Sequence, residues 1–529
     1  MKKKRLSKSW DVIVTGAGHN GLAVAVFLAE LGFRVLVLER REQVGGATIT
    51  EQPWGHDYKV TSLSYSFGMA PDYISRKAGL TKENGFEVFP QHGYFAPRAD
   101  GGFLQMHDDP KRRHAEISKV SKRDADIYEE RWEPMISELA SVLRPIITAN
   151  IPRIGSRRLG DLWEQIKFAW SLRGLDVDGF GDFTRFMTMS VSDLLDDYFE
   201  SSQLKGLLSV SGVIGTWAGP RSPGTSFVMA HHKIGSGWGF PKEGMGSVSR
   251  LLEARAKSFG AEIRTGAEVE RILVRDGKAV GVALASGEEF YASCVVATTN
   301  PKITFLRHLD SKDLPDKFVE DIKRLKTRGG TVKINLALDR LPEFKCKPGF
   351  DPEVHGGTIV LAESVDDIEG AFQDAVAGRS ARLPFADICI PSVFDPTLAP
   401  KGKHVASLFT QWVPCEWASS PHKEDLEIYA DRVIERVERV APGFTNSILH
   451  RQVIGSYEME REYGLIGGNI FAGELSLSQI GHMRPAPGYA DHSTPIQGLY
   501  NASAASPGGG GVNMIPAWKV AQIISGKKF

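Results

Sequence analysis

The stretch that decides the fold of this chain is VIVTGAGHNGL, residues 12–22. The apolar and β-branched residues 12–15 predict a buried strand that Asp11 opens, and the alternation over residues 22–31 predicts a helix that Gly32 ends. The glycine-rich turn between them is of the kind that holds phosphate groups at a helix N-terminus. The stretch predicts a nucleotide-binding β-α unit, with an ordinary glycine-rich turn as the alternative.

Three glycines of this turn, Gly16, Gly18 and Gly21, match the pattern G-x-G-x-x-G. Gly16 permits the tight turn, Gly18 lets the backbone approach a pyrophosphate, and Gly21 lets the helix pack closely on the strand. A second predicted strand, residues 33–38, ends at Glu39. Its carboxylate can accept both hydroxyls of an adenosine ribose and would repel a 2′-phosphate.

The residues after Glu39 distinguish between nucleotides. They read RREQVGGATIT, and Gly45 and Gly46 form a second close-approach turn, which fits a longer dinucleotide better than NAD. Here the sequence resembles the large flavoproteins with two dinucleotide-binding domains, in which such a doublet contacts the FAD pyrophosphate. Arg40 either neutralises phosphate or is solvated. The predicted FAD contacts of this half are Gly16, Gly18, His19, Asn20, Gly21, Glu39, Arg40, Gly45, Gly46 and Ala47.

Two distant segments complete the pattern. Residues 241–299 predict a helix, two hairpins and a closing apolar strand. By the same resemblance, the backbone of Val269 contacts the adenine. Near the C-terminus a strand at 499–502 precedes a glycine turn and a last helix. The resemblance places Gly509, Gly510, Gly511 and Val512 against the flavin, where a positive helix end stabilises the anionic reduced ring. The alternative is a mobile glycine loop before a surface helix.

Because these segments are far apart in sequence, we predict a discontinuous domain. The fold class is α/β, with a Rossmann-like FAD-binding domain formed by residues 1–74, 235–300 and 461–529. Residues 75–234 and 301–460 are predicted to form an α+β substrate-binding or lid domain.

Four motifs together indicate a family. GAGHNGL, ERREQVGGA, HHKIGSGWGFPKEGMGSVS and the ending RPAPGYADHSTPIQGLY with SPGGGGV resemble the phytoene desaturase-like FAD-dependent oxidoreductases. Within that family the chain is similar to the branch of pyridine nucleotide-disulfide oxidoreductase domain-containing protein 2 and the flavin-type carotenoid ketolases. The resemblance implies a flavin that removes hydride from, or otherwise oxidises, a largely apolar substrate in a tunnel.

The chain departs from this family's pattern in two places. Residues 501–506 read NASAAS where turn glycines and a histidine are expected, and Ala472 stands where a histidine is expected. Both changes fall on the predicted flavin side of the substrate site. Altered substrate chemistry or lost redox activity is therefore kept as an alternative to an inherited mechanism.

Candidate catalytic residues lie near the predicted flavin-facing turns. His231 or His232 can act as a base near neutral pH, or can be a hydrogen-bonded structural histidine. Glu474 is either a substrate-facing carboxylate or a rim charge, and His492 is a further candidate. The four cysteines have no zinc or iron-sulfur spacing, so no metal is expected.

Composition excludes several classes of protein. Lys plus Arg and Asp plus Glu are 64 each in 529 residues, so no net charge favours nucleic acid. No apolar run approaches the roughly 18 residues of a membrane span. The basic start is expected to be a solvated tail, and the scattered cysteines indicate a reducing, cytoplasmic location.

Partners are predicted from two further features. No second G-x-G-x-x-G follows a strand, so reduced flavin would pass electrons to oxygen, a quinone or another protein. Residues 141–175 combine basic residues with Leu, Ile, Trp and Phe. This segment is predicted to be a lid helix, with membrane contact or a homo-oligomer interface as alternatives.

The function predicted is FAD-dependent dehydrogenation, or desaturation, of an apolar or aromatic small molecule. Three alternatives stay open. A ketolase or monooxygenase would share the fold, an isomerase of an isoprenoid-type substrate would use reduced FAD without net turnover, and a non-catalytic scaffold would bind flavin that no substrate reduces.

Overall fold

The glycine turn follows the central strand of a seven-stranded sheet, the first sheet. In spatial order its strands are Val269–Arg275, Lys278–Leu284, Glu289–Ala297, Trp10–Thr15, Val35–Leu38 and Glu262–Arg264, and Leu499–Asn501 pairs in parallel with Glu289–Ala297. This computed structural model describes residues 9–148, 151, 159–171, 176–232 and 237–527. The predicted Rossmann-like α/β fold is confirmed.

Three helices cover one face of the first sheet. They are His19–Glu30, Gly246–Ser258 and Ile515–Ser525. The first helix is almost entirely buried because its residues 22–29 are all apolar, and its Phe27 meets Trp518 of the last helix with ring centroids 5.4 Å apart. It begins at His19, earlier than predicted, because Gly18 is the extended N-cap residue.

A second seven-stranded sheet is built from strands between residues 94 and 454. Its order is Ile448–Ile454, Thr331–Leu338, His404–Gln411, Phe385–Cys389, Thr358–Leu361, Tyr94–Pro97 and Phe103–Met106. Two small ribbons pair Thr50–Glu51 with Val60–Thr61 and Val88–Pro90 with Gly239–Pro241. The strands of the first sheet all lie in the segments predicted for the FAD-binding domain, and those of the second sheet lie in the segments predicted for the substrate domain. The exact domain limits stay a prediction.

The other helices belong to several parts of the fold: Phe305 and Phe318 pack on the opposite face of the first sheet, and Ile74 packs with the helices that cover it. The α-helices are Asp72–Ala78, Pro110–Ile117, Lys122–Ile127, Glu133–Thr148, Leu159–Ser171, Val177–Thr188, Val191–Tyr198, Ser202–Ser209, Thr225–His232, Pro301–Leu306, Asp316–Arg324, Pro352–His355, Val365–Val376, Lys423–Val440 and Ser456–Tyr463, and Tyr128–Trp132 is a π-helical turn.

The helix Leu159–Ser171 exposes apolar side chains. Trp163 is 58% exposed, Trp170 is 62% exposed, and Leu159 and Ile166 are exposed as well. Leu143, in the same predicted segment, is instead packed in the core beside the second sheet, so a lid role for residues 141–175 stays a prediction. The predicted segment also includes residues 149–150, 152–158 and 172–175, which lie outside the described residues.

Candidate active site

A polar cavity of about 270 Å³ opens at the carboxyl ends of the central strands of the first sheet. Ten residues that the sequence singled out line it, namely Gly16, Gly18, His19, Asn20, Glu39, Arg40, Gly45, Gly46, Ala47 and Val269. Residues from elsewhere close it, including Thr298, Thr299, Asn300, His308 and Tyr463. The carboxyl edge of a parallel sheet is where open α/β folds bind nucleotides.

The two N-terminal glycine turns lie against each other. Gly45 donates its N–H to Ala17 O at 2.8 Å, and Gly18 and Gly45 form an isolated parallel bridge. Gly21 lies behind the turn, not on the cavity wall, and a Cβ there would come within 1.9 Å of Gly16 O. Its role is the close packing of helix on turn that the motif predicts.

Glu39 holds the shape of this cavity from the end of its strand. Its carboxylate is 7% exposed and accepts the N–H of Ala17 at 2.7 Å and the N–H of Arg41 at 3.0 Å. Arg40 also lines the cavity, but its guanidinium donates to Arg461 O at 2.6 Å. Phosphate contact by Arg40 stays a prediction.

Several buried polar atoms of this cavity have no hydrogen-bond partner within the described chain. They are Thr15 Oγ1, His19 Nε2, Asn20 Oδ1 and His308 Nδ1. Burial lowers the pKa of His19 to about 4 and that of His308 to about 4, so both rings are neutral at physiological pH. Unpaired buried polar atoms are costly, and a polar cofactor that fills the cavity would satisfy them. The residues present fit FAD.

A second cavity of about 200 Å³ adjoins the polar one. Its wall is mostly apolar and includes Leu63, Met69, Ile214, Trp238, Met459, Ile470, Phe471 and Val512. Four residues line both cavities: His19, Ala47, Leu465 and Ala504. A molecule in the apolar cavity would therefore lie next to one end of a group in the polar cavity.

The C-terminal glycine turn contributes only in part as predicted. Gly511 and Val512 line the apolar cavity, but Gly509 and Gly510 line neither cavity. A Cβ on Gly509 would come within 2.3 Å of Ala504 O, and Gly510 has a φ of +95°. Gly509 and Gly510 shape the turn that brings Gly511 to the cavity, and their contact with the flavin stays a prediction.

The positions that depart from the family pattern do lie at this junction. Ala472 lines the polar cavity with a φ of +59°, and Ala504 lines both cavities. Arg484, fully buried, ties these loops together by donating to Phe471 O at 2.8 Å and to Ala504 O at 3.2 Å. Both departures thus change the wall beside the predicted flavin.

The predicted catalytic histidines separate. His232 lines the apolar cavity, and its Nδ1 donates to Val228 O at 2.8 Å. His231 lines neither cavity, and its Nε2 lies 3.3 Å from Gly510 O. Burial, with the neighbouring His232, lowers the pKa of His231 to about 3. We therefore correct His231 from a candidate base to a structural histidine, whereas a role for His232 stays a prediction.

Glu474 and His492 also lie away from both cavities. Glu474 is buried and forms a two-pronged ion pair with Arg328, at 2.7 and 3.0 Å, so it is neither a substrate-facing carboxylate nor a rim charge. His492 is buried and donates from Nδ1 to Asn501 O at 3.0 Å. It anchors the 501–506 turn.

Two ionisable residues that no sequence motif marks, Lys333 and Asp387, lie on the wall of the apolar cavity. Both residues lie on strands whose opposite face packs in the core. The sequence shows this as alternate core positions along the strand. In TVKINLAL the residues Val332, Ile334 and Leu336 are core residues, while Lys333 is on the opposite face. A buried strand with a lysine on one face indicates a lined cavity.

Comparison with known proteins identifies the family. The model described as flavin containing amine oxidoreductase matches residues 21–450. The chain belongs to the flavin-containing amine oxidoreductase family. The FAD-dependent oxidoreductase activity and the family resemblance predicted from the motifs are thereby confirmed. The family's flavin is the group that the unpaired atoms of the polar cavity fit.

Three relatives of this flavin-containing amine oxidoreductase match most of its length. Pyridine nucleotide-disulfide oxidoreductase domain-containing protein 2 of Rattus norvegicus is 35% identical over 96% of this chain and 91% of its own. A component of the limonene dehydrogenase of Castellaniella defragrans is 25% identical over 95% and 92%. Prolycopene isomerase 2 of an Oncidium hybrid is 28% identical over 84% and 72%.

The fold is shared with solved structures. An oxidoreductase from Methanosarcina mazei superposes with a TM-score of 0.60 at 16% identity, covering 97% of this chain and 99% of that one. Among the helices of the described ranges, none combines the length and apolar character needed to cross a bilayer.

Proposed function

We propose that this FAD-dependent oxidoreductase dehydrogenates a compact apolar or aromatic small molecule in the 200 Å³ cavity. The observation that supports the proposal is the junction of the two cavities through His19, Ala47, Leu465 and Ala504. An engineered apolar cavity of about 150 Å³ holds benzene. A molecule with one or two rings therefore matches the apolar cavity in size.

FAD, when bound, supplies a two-electron acceptor for the substrate. The chain's own residues would do the rest. The polar cavity would hold the dinucleotide through Glu39, the glycine turns and the neutral His19. The apolar wall, with Phe471 and Trp238, would exclude water and orient the substrate against the flavin.

The electron acceptor in this proposal is external. The polar cavity is shaped by one dinucleotide-binding motif. The other glycine-rich segment, which ends at residue 246, follows helix Thr225–His232 and not a strand, so it does not form a second such motif for a nicotinamide. Oxygen, a quinone or a protein would then reoxidise the flavin. Incorporation of labelled oxygen into the product would favour the ketolase alternative.

Isomerisation is the second candidate function, because one of the relatives is named a prolycopene isomerase. An isomerase would convert substrate with reduced FAD and without net reduction of the flavin. Dehydrogenation and isomerisation therefore differ in the fate of the flavin electrons.

Anaerobic spectroscopy of the purified holoprotein tests the proposal. Addition of monocyclic terpenes and alkylated aromatic compounds should bleach the oxidised flavin band, with one molecule of dehydrogenated product for each flavin. Turnover only after prior reduction of the flavin would instead identify an isomerase. A flavin that no candidate bleaches, in a protein that also produces no isomer, would mean a non-catalytic scaffold.

We propose also that the protein works in the cytoplasm and touches a membrane surface through helix Leu159–Ser171. All four cysteines are free thiols, which fits a reducing compartment. Trp163 and Trp170 are exposed on this helix, and tryptophan is favoured at membrane interfaces. Such contact would give a lipid-soluble substrate a route to the cavity. Self-association through the same face is the competing outcome.

A further inference from the structure

A row of side chains crosses the second sheet on the side of the apolar cavity. Lys333 pairs with Phe409 of the neighbouring strand, and Phe409 pairs with Asp387 of the next. Directly opposed residues of adjacent antiparallel strands point to the same face. Lys333, Phe409 and Asp387 therefore form one row, and all three line the cavity.

The two ionisable members of this row are deeply buried. Lys333 is 1% exposed and Asp387 is 5% exposed. Burial lowers the pKa of Lys333 and raises the pKa of Asp387. Burying an ionisable group in an apolar interior costs free energy unless the group has hydrogen-bonding partners. Lys333 and Asp387 are therefore expected either to pair with each other or to bind a ligand in the cavity.

Lys333 and Asp387 are not paired with each other in the described chain. The Lys333 ammonium donates to Ser407 Oγ and lies 4.4 Å from the centroid of the Tyr65 ring. Asp387 has Tyr65 as a hydrogen-bond partner, and the thiol of Cys389 lies 3.9 Å from its Oδ1. A lysine has three donors and a carboxylate about four acceptor sites. Each group therefore keeps capacity toward the cavity.

We propose that Lys333, Asp387 and Tyr65 bind the hydroxyl group of the substrate, so that the substrate class is a compact alcohol. A hydroxyl can accept from Lys333 and donate to Asp387 at once. An ammonium head has only donors and could bond only to Asp387, and a carboxylate head has only acceptors and could bond only to Lys333. A carbonyl could use only the donors. The proposal rests on the proposed function in taking this cavity as the substrate cavity.

The other polar groups nearby add no charge. Tyr94 lines the cavity, and Cys389 is the next inward-facing residue of the Asp387 strand. Burial raises the pKa of Tyr94 and of the Cys389 thiol, so both are neutral at pH 7. With one basic and one acidic group, the site favours a neutral head group. His19 and His232 are the histidines on the wall of this cavity.

The test uses the holoprotein and five probes with one ring and different heads: cyclohexanol, cyclohexanone, cyclohexylamine, cyclohexanecarboxylate and methylcyclohexane. Dissociation constants are measured at pH 7 by ligand-observed NMR, without turnover. We expect cyclohexanol to bind about tenfold or more tighter than each of the others. Tightest binding of the amine or the carboxylate, equal binding of all five, or no binding would overturn the proposal.

Variants distinguish a loss of hydroxyl recognition from a general loss of ligand binding. Asp387→Asn and Tyr65→Phe should weaken cyclohexanol binding about tenfold while leaving methylcyclohexane unchanged. Lys333→Met combined with Asp387→Leu removes both charges, which avoids leaving one unpaired, and should abolish the preference for the alcohol. Met459→Leu, on the same cavity, is the control and should affect all probes alike. A preference that persists in the double variant would overturn the proposal.

Binding and turnover give independent results. If cyclohexanol binds selectively but no substrate reduces the flavin, the proposed dehydrogenation fails and the hydroxyl site stands. If apolar compounds reduce the flavin while the five probes bind with equal dissociation constants, the proposed dehydrogenation stands and the hydroxyl site fails.

Discussion

The carboxylate of Glu39 accepts the backbone N–H of Ala17 at 2.7 Å, which ties the end of the second central strand to the glycine turn after the first. Glu39→Gln keeps the shape but removes the charge that holds this turn and that would face the ribose. We expect FAD affinity to fall about tenfold to hundredfold, measured by titration of the apoprotein with FAD.

The matched comparison for Glu39→Gln is Glu42→Gln, three residues further along and outside the polar cavity lining. This variant should bind FAD as the wild type does. Unchanged affinity in Glu39→Gln would show that the Ala17 contact is structural and not part of cofactor binding.

Gly21→Ala should abolish flavin binding. The added Cβ would come within 1.9 Å of Gly16 O, so either the turn or the helix must shift. Flavin absorbance of the purified protein and the melting temperature measure the effect. Gly370→Ala is the control, because Gly370 is exposed in helix Val365–Val376 with open space around it, and the change should be neutral or stabilise by about 0.5–1 kcal/mol.

The Arg328–Glu474 ion pair should respond asymmetrically to mutation. Arg328→Met leaves a buried carboxylate without its partner and should cost about 3–5 kcal/mol. Glu474→Gln leaves a guanidinium that is 46% exposed and can be hydrated, so we expect about 1–2 kcal/mol. Urea unfolding measures both. Flavin reduction should survive Glu474→Gln, and its loss with intact folding would restore Glu474 as a catalytic candidate.

His492 should make the protein sensitive to acid. Burial, helped by the charge of Lys519, lowers its pKa to about 3 from an ordinary 6.5. Between these values the unfolded chain binds a proton that the native protein does not, so stability is lost as pH falls below 6.5, by about 1.4 kcal/mol per pH unit. His492→Asn suits the φ of +66° and should reduce this loss.

Unfolding midpoints at pH 7.5, 6 and 5 measure the difference between wild type and His492→Asn. The exposed His56 provides the control, since His56→Asn should leave the pH dependence unchanged. The buried His19, His231 and His308 keep part of the acid sensitivity in every variant. An identical pH dependence in His492→Asn and the wild type would contradict the prediction.

Trp163→Ser with Trp170→Ser should reduce cosedimentation with anionic phospholipid vesicles several-fold while flavin content stays unchanged. The physical reason is the loss of exposed aromatic area that can enter the interface. Phe350→Ser, which removes an exposed aromatic side chain elsewhere, is the control. A change in oligomeric state without a change in vesicle binding would assign this face to self-association.

The cofactor half of the site was predictable because its information is local. Gly16, Gly18, Gly21 and Glu39 lie within 24 residues, and their spacing reflects a single β-α-β unit. Even there, only Gly511 and Val512 of the C-terminal glycine turn line a cavity, because a glycine pattern does not tell which residue of a turn faces it.

The catalytic candidates depended on contacts that sequence spacing does not reveal. Glu474 looked available in an apolar stretch, but its partner Arg328 is 146 residues away. Lys333 and Asp387 belong to separate strands, and only the register through Phe409 brings them to one row.

The sequence by itself determined that this protein has a dinucleotide-binding unit and a family, because short-range patterns of glycine, apolar residues and one acid dictate that unit's geometry. Only the tertiary structure decided which side chains share the substrate cavity. The physical reason is that strand pairing and burial, which set the neighbours of an ionisable group, depend on residues distant in the chain.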